Sequence, residues 1–190
     1  MRNRKMILAG LFAALIAVSS QIYFPLPFSP VPHTLQIFFI LLSGILLGGR
    51  WGLTCVAVWI MLGIFGLPVF AQGKAGIITL VYPTGGFLIG FMACAYLVGR
   101  LAETPDLTWP KAMGIALLGL TVTYVIGLVG FLFSFAYVLQ KPMTWQQAVL
   151  ITVVPFVPFD IIKAGTAAFL GVKVRQALKR TGLVLNRSNY

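Results

Sequence analysis

Apolar residues come in long runs separated by polar, proline-rich or glycine-rich breaks. A helix needs about 20 mostly apolar residues to cross a bilayer, and the runs predict six helices, over 6–24, 35–49, 51–66, 84–101, 112–138 and 147–177. The second and third are short and meet at a tight turn, Gly48-Gly49-Arg50-Trp51-Gly52. The fifth and sixth exceed one bilayer thickness, so they must tilt, kink or protrude. Within the sixth, Pro155-Phe156-Val157-Pro158-Phe159 predicts a kink or a restart, because Pro158 lacks an N–H and its neighbour is pushed out of the helical region. Two connections are unlike the rest. Residues 23–34 hold four prolines and no fixed charge, and 66–84 is glycine-rich yet largely apolar. Both predict irregular backbone. Near membrane depth such backbone needs protein or a water-filled cavity over it, so the two segments read either as a lid over an outward pocket or as ordinary interfacial connectors.

Composition turns this pattern into a class. Of 190 residues, 59% are hydrophobic and only 9% charged, with a mean hydropathy of +0.98; soluble domains carry about 25% charged residues. The expectation is one all-α domain over 1–190, integral to the plasma membrane. The net charge of +11 does not imply nucleic acid, because the basic residues flank apolar runs and form no stripe with aromatics. They read as topology signals instead. Arg2, Arg4, Lys5, Arg50, Arg100, Lys111, Lys173, Arg175, Lys179, Arg180 and Arg187 fall on one side, and only Lys74 and Lys141 on the other. Both termini are therefore expected in the cytoplasm. The basic start followed by an apolar run resembles a signal peptide, but it extends to Phe24 and leads into further spans, so it reads as an uncleaved first helix. Cys55 and Cys94 lie in separate runs and read as small buried apolar side chains; with one histidine they make no recognisable metal site.

One pair of residues carries the chemistry. Asp160 is the only acid inside an apolar run, and Lys163 follows it three positions later; Glu103 and Asp106 sit together in a polar break. A charge in hydrocarbon costs ~2.5–3.5 kcal/mol or more, and positions i and i+3 share one helix face. The two charges can neutralise each other when the site is empty and divide acceptor and donor duties when a polar ligand arrives. Asp160 would lie in the first turn after the restart, where a helix end favours negative charge.

Other features admit two readings. Thr34 and Gln36 could bond a ligand or cap the second helix. His33 reads as interfacial, with no Ser or Cys partner for catalysis. Gln72-Gly73-Lys74 fails the phosphate-loop pattern, because Pro68 stands where its first glycine belongs and Ala75 follows the lysine. Ala9, Ala13 and Ala17, and Ala164 with Ala168, form small ridges suited to close helix packing, within the chain or against a partner. Phe65, Phe70, Tyr82 and Phe87, with Gly85 and Gly86, could line an apolar slot or belong to an interfacial belt.

Taken in order, Pro30-Val31-Pro32-His33-Thr34-Leu35-Gln36, Gly66-Leu67-Pro68-Val69-Phe70-Ala71 with Gly73 and Gly76, Pro83-Thr84-Gly85-Gly86-Phe87 with Gly90-Phe91, and Pro158-Phe159-Asp160-Ile161-Ile162-Lys163 resemble the BioY family over nearly the whole chain. That family comprises the biotin-binding S components of energy-coupling-factor transporters. The resemblance implies six helices, an outward site for biotin, a transmembrane coupling subunit and two cytoplasmic ATPase subunits. ATP would act only on those partners, and the chain would need no cofactor. The family's D-x-x-K pair falls on Asp160 and Lys163. Further substrate contacts are expected at Thr34, Gln36, Phe70, Gln72, Tyr82, Gly85 and Gly86, and contact with the coupling subunit at Ala9, Ala13 and Ala17. A self-sufficient secondary carrier, with Asp160 relaying protons, is the alternative; no inverted repeat supports it. An intramembrane enzyme is disfavoured, since one histidine, no second intramembrane acid and no nucleophile–base pair are present.

Overall fold

The computed structural model describes residues 2–181. Met1 and 182–190, which include Arg187 and the C-terminus expected in the cytoplasm, lie outside the described residues. Helix α1 (Arg2–Gln21) leads into two short strands, β1 (Tyr23–Leu26) and β2 (Ser29–Thr34). Helices α2 (Gln36–Leu47) and α3 (Gly49–Ile64) follow, then two 3-10 turns at Ala71–Gly73 and Ile77–Leu80. The remainder is α4 (Gly85–Ala102), α5 (Trp109–Phe133) with a π turn at Ser134–Val138, α6 (Trp145–Thr152) and α7 (Val157–Arg180).

Helix α2 is the central post. Ten of its twelve residues are buried, as expected of a helix that is apolar all round. It meets α3 at Gly48, whose φ of +86° favours glycine. Helices α4 and α5 approach closely along a seam of small residues. A Cβ on Gly86 would lie 2.7 Å from Gly130 Cα, and one on Gly90 would lie 2.9 Å from Thr123 O. Without a hydrophobic drive between helices in lipid, such backbone approach supplies the packing.

The proline-rich connection is not irregular. β1 and β2 pair antiparallel, with Tyr23 opposite Thr34, Phe24 opposite His33 and Leu26 opposite Ser29. Proline excludes helix here, as expected, but a two-stranded ribbon has only edge strands, which tolerate it. Pro25 sits where the register shifts between Phe24 and Leu26. The chain is therefore mostly rather than wholly helical.

The second connection is tied down by α1 and α3. Ser20 Oγ donates to Val69 O at 2.7 Å, and Gln21 Nε2 donates to Phe70 O at 3.0 Å. Trp59, fully buried, donates from Nε1 to Val69 O at 2.9 Å and meets the Phe70 ring edge-on at 5.4 Å. At the opposite end, Gly49 N donates to Glu103 Oε1 at 3.0 Å and Arg100 pairs with Glu103 at 3.1 Å. Arg175 donates to the carbonyls of Ala102 and Thr104, capping the end of α4.

Three helical stretches among the described residues are long and apolar enough to cross a membrane: Asn3–Gln21, Gly85–Ala102 and Trp109–Val138. The sixth expected helix is two, α6 and α7, bent by 52° at the break and together long enough for a fourth span. Pro158 opens α7 at the restart read from the sequence. Helix α2 forms where expected but is shorter, and α3 keeps the expected length while starting two residues earlier; at 1.5 Å per residue the twelve residues of α2 cover about 18 Å.

Candidate ligand-binding site

A cavity lies between the hairpin, the first 3-10 turn, the adjoining ends of α2, α4 and α7 and the middle of α5. Most of its wall is apolar, including Val31, Phe70, Phe87, Phe91 and Phe156. The polar groups converge on one side.

Asp160 is in the first turn of α7, where the restart at Pro158 places it at the helix N-terminus. Both it and Lys163 are buried, 7% and 9% exposed, and both line the cavity. Lys163 Nζ donates to Asp160 Oδ1 at 2.9 Å. Tyr124 on α5 donates its phenolic proton to the other oxygen, Oδ2, at 2.6 Å. The carboxylate therefore holds one donor on each oxygen, and each oxygen keeps a free lone pair. Lys163 Nζ also donates to Thr34 O at 2.6 Å and sits 3.0 Å from His33 Nε2. Charge-assisted bonds of this kind are the strong class. Burial, with the nearby ammonium adding to it, holds the His33 imidazole below its ordinary value, while Asp160 opposes the shift.

The structure brings Asp160, Lys163, Thr34, Gln36 and Phe70 to the cavity wall. Thr34 uses its hydroxyl to bond Gln36 Oε1 at 2.7 Å and its carbonyl to receive the ammonium. Gln72, Tyr82, Gly85 and Gly86 are not among the lining residues. Gln72 is exposed, in a left-handed conformation at φ +64°. Tyr82 is 44% exposed. A Cβ on Gly85 would come within 1.8 Å of Leu80 O, so that glycine lets the second 3-10 turn close onto α4, and Gly86 belongs to the α4–α5 seam. Of the loop aromatics, Phe70 and Phe87 point inward and Phe65 outward.

Ala9 and Ala13 are buried in the chain's own core, and Ala17 is half-buried. The outer face of α1 carries Ile7, Gly10, Leu11, Ala14 and Val18 instead.

Sequence reasoning missed Tyr124 and did not foresee the contact of His33 with Lys163. A phenol in the middle of an apolar helix is a signal, because a buried tyrosine hydroxyl usually finds a partner, and the one carboxylate among the apolar runs is the natural choice. His33 gave no such signal. Its ring packs against Phe156 and Phe159, at centroid distances of 5.2 and 5.0 Å, only because the hairpin folds over α7.

The BioY family profile matches residues 1–180. The biotin transporter BioY of Thermotoga maritima is 42% identical over 174 residues, covering 91% of this chain and 96% of that protein. The probable biotin transporter BioY of Pyrococcus horikoshii is 33% identical over 176 residues, covering 92% and 98%. A crystal structure of the S-component for biotin from an ECF-type ABC transporter superposes with a TM-score of 0.82 at 25% identity, covering 92% of each chain. With the profile and full-length relatives in agreement, this chain belongs to the BioY family.

Proposed function

We propose that this chain is the biotin-binding membrane subunit, the S component, of an ATP-driven energy-coupling-factor importer. One observation carries the reading: among the described residues, a carboxylate–ammonium pair inside the apolar helices is buried and faces a largely apolar cavity with a few convergent polar groups. Biotin's ureido group offers two N–H donors and a carbonyl acceptor. The free lone pairs of Asp160 suit an N–H. The carbonyl suits Lys163, and it takes the place of Asp160 Oδ1 among the three acceptors of that ammonium. The bicyclic ring and its thioether fit the apolar wall of Phe70, Phe87, Phe91 and Phe156.

Lys74 lines the same cavity and is exposed. Asp160 and Lys163 cancel, which leaves the site with the single positive charge of Lys74. That complements a monoanion, and Lys74 is assigned the valerate carboxylate. Gln72, Tyr82, Gly85 and Gly86 act indirectly, by shaping the loop and the helix seam.

In this reading α2 and α3 complete six spans, with the hairpin and 3-10 turns capping the site on the outward side. Arg50, Arg100, Lys111, Lys173, Arg175 and Lys179 mark the cytoplasmic end. The chain carries no nucleotide motif, so a coupling subunit and two ATPases supply the work, and the protein is a transporter subunit rather than an enzyme. For the helix-one contact, Ala17 is the member of the expected stripe still reachable from outside, together with Gly10 and Ala14.

Biotin titration of the purified wild type, Asp160→Asn and Lys163→Ala tests the site. Losing a hydrogen bond to a charged group costs ~1.5–3 kcal/mol, so each variant should bind about tenfold to a hundredfold more weakly. Wild-type affinity in both variants would remove the proposed site.

A further inference from the structure

His33 is the chain's only histidine, and it stands against the buried ammonium. Lys163 Nζ has three acceptors within 3.0 Å: Asp160 Oδ1, Thr34 O and His33 Nε2. An ammonium has three N–H donors and no lone pair. Each acceptor therefore takes one hydrogen, and Nε2 has to accept. That requirement makes the ring neutral, with its proton on Nδ1. The rings of Phe156 and Phe159 hold it in that orientation.

The same ring is part of a partition. On its other side lies a crevice between the hairpin and the α6–α7 bend, lined by Phe24, Leu26, Pro155 and Phe159. His33, Thr34 and Lys163 border both spaces. The ring and the ammonium it touches therefore stand together between the two spaces.

A second proton on this ring would replace an acceptor by a cation, 3.0 Å from another cation. The groups that face it leave little relief. From α7 come Lys163 and Asp160, and both carboxylate oxygens are already engaged. Tyr124 on α5 and Lys74 after the first 3-10 turn line the same cavity. Tyr23 is the one titratable group on the paired strand, α6 has none, and α1 has them only at its far end, Arg2, Arg4 and Lys5.

We propose that His33 is a positioning residue for Lys163: the neutral ring holds the ammonium beside Asp160, and protonation of the ring displaces the ammonium and releases the ligand. Ligand release, unlike the lysine–histidine contact, presupposes that biotin occupies this cavity.

The test uses the full chain in lipid nanodiscs, labelled with 15N-histidine. One histidine gives one pair of ring-nitrogen signals. At about pH 8, well above the ordinary histidine value, Nδ1 should carry the proton and Nε2 should be bare. Lys163→Met should shift the Nε2 signal. A ring protonated on Nε2, or one indifferent to Lys163→Met, would overturn the contact. Linkage is reciprocal, so saturating biotin should lower the ring's pKa; the same pKa with and without biotin would overturn the release. Biotin affinity of the wild type should fall by up to about tenfold per pH unit below that pKa. In His33→Gln, whose amide oxygen accepts without titrating, this slope should vanish, and an equal slope in both proteins would again overturn the release. If the wild type binds no biotin at any pH, the ligand reading fails, and the ring signals still decide the contact.

Discussion

All three hydrogens of the Lys163 ammonium find acceptors inside the protein, and both oxygens of Asp160 find donors. A buried pair satisfied to this degree can stand empty, whereas removing one member strands the other at ~3–5 kcal/mol. Tyr124 tests the smaller terms. Tyr124→Phe keeps the ring and deletes the donor to Asp160, so biotin affinity should fall about tenfold, within the ~1.5–3 kcal/mol of a bond to a charged group, with the fold unchanged. Calorimetric titration checks this, and an unaltered affinity would place the phenol outside the site's energetics. His33 gives a prediction for the ligand-free protein. Its folded pKa is lowered by burial and then by Lys163, so between that value and about 6.5 the unfolded chain holds a proton that the folded chain rejects. Stability should therefore be full above about pH 6.5 and decline as pH falls through the folded value. Thermal melts across this range should show the decline in the wild type and lose it in His33→Gln; stability rising towards acid would contradict the sign. Asp160 and Lys163 were legible in the sequence because charge inside an apolar run announces itself. Tyr124 and His33 were not, since their partners lie 36 and 130 residues away and only the tertiary fold supplies them.

At the scale of elements, apolar runs fix where helices form, and Pro158 marks where α7 restarts. The hairpin was hidden, because proline density speaks only against helix and cannot distinguish an irregular lid from a paired ribbon. Glycine was ambiguous in the same way. Gly86 sits beside pocket-lining Phe87, yet its missing side chain serves the approach of α5, where a Cβ would lie 2.7 Å from Gly130 Cα. Gly86→Val should accordingly destabilise the protein by ~1–3 kcal/mol through overpacking. The measurement is the apparent melting temperature of the ligand-free protein in detergent. A variant that melts like wild type but fails to hold biotin would return Gly86 to the binding surface. Ala13, 1% exposed against α1's neighbours, makes the parallel case: Ala13→Leu should impair folding and binding together, whereas Ala14→Leu on the open face should leave binding intact.

Across the whole molecule, charge is divided between two ends. Arg100 with Glu103, Arg175 over the end of α4, and Lys179 with Asp106 close one end with short ties. The other end holds the cavity, one neutralised pair, Lys74 and Lys141. A ligand that binds only the folded form at a hundredfold excess over its Kd adds ~2.7 kcal/mol of stability. Biotin should therefore raise the melting temperature of the isolated subunit, with no coupling subunit or ATPase present, and the absence of any shift would argue against this chain as the primary receptor. The Trp59–Phe70 contact adds a practical consequence. Trp59 is fully enclosed and touches a ring that lines the cavity, whereas Trp109 and Trp145 are about half exposed. Any shift of Phe70 on loading changes the surroundings of that enclosed indole, so the protein carries an intrinsic fluorescent reporter of its own occupancy.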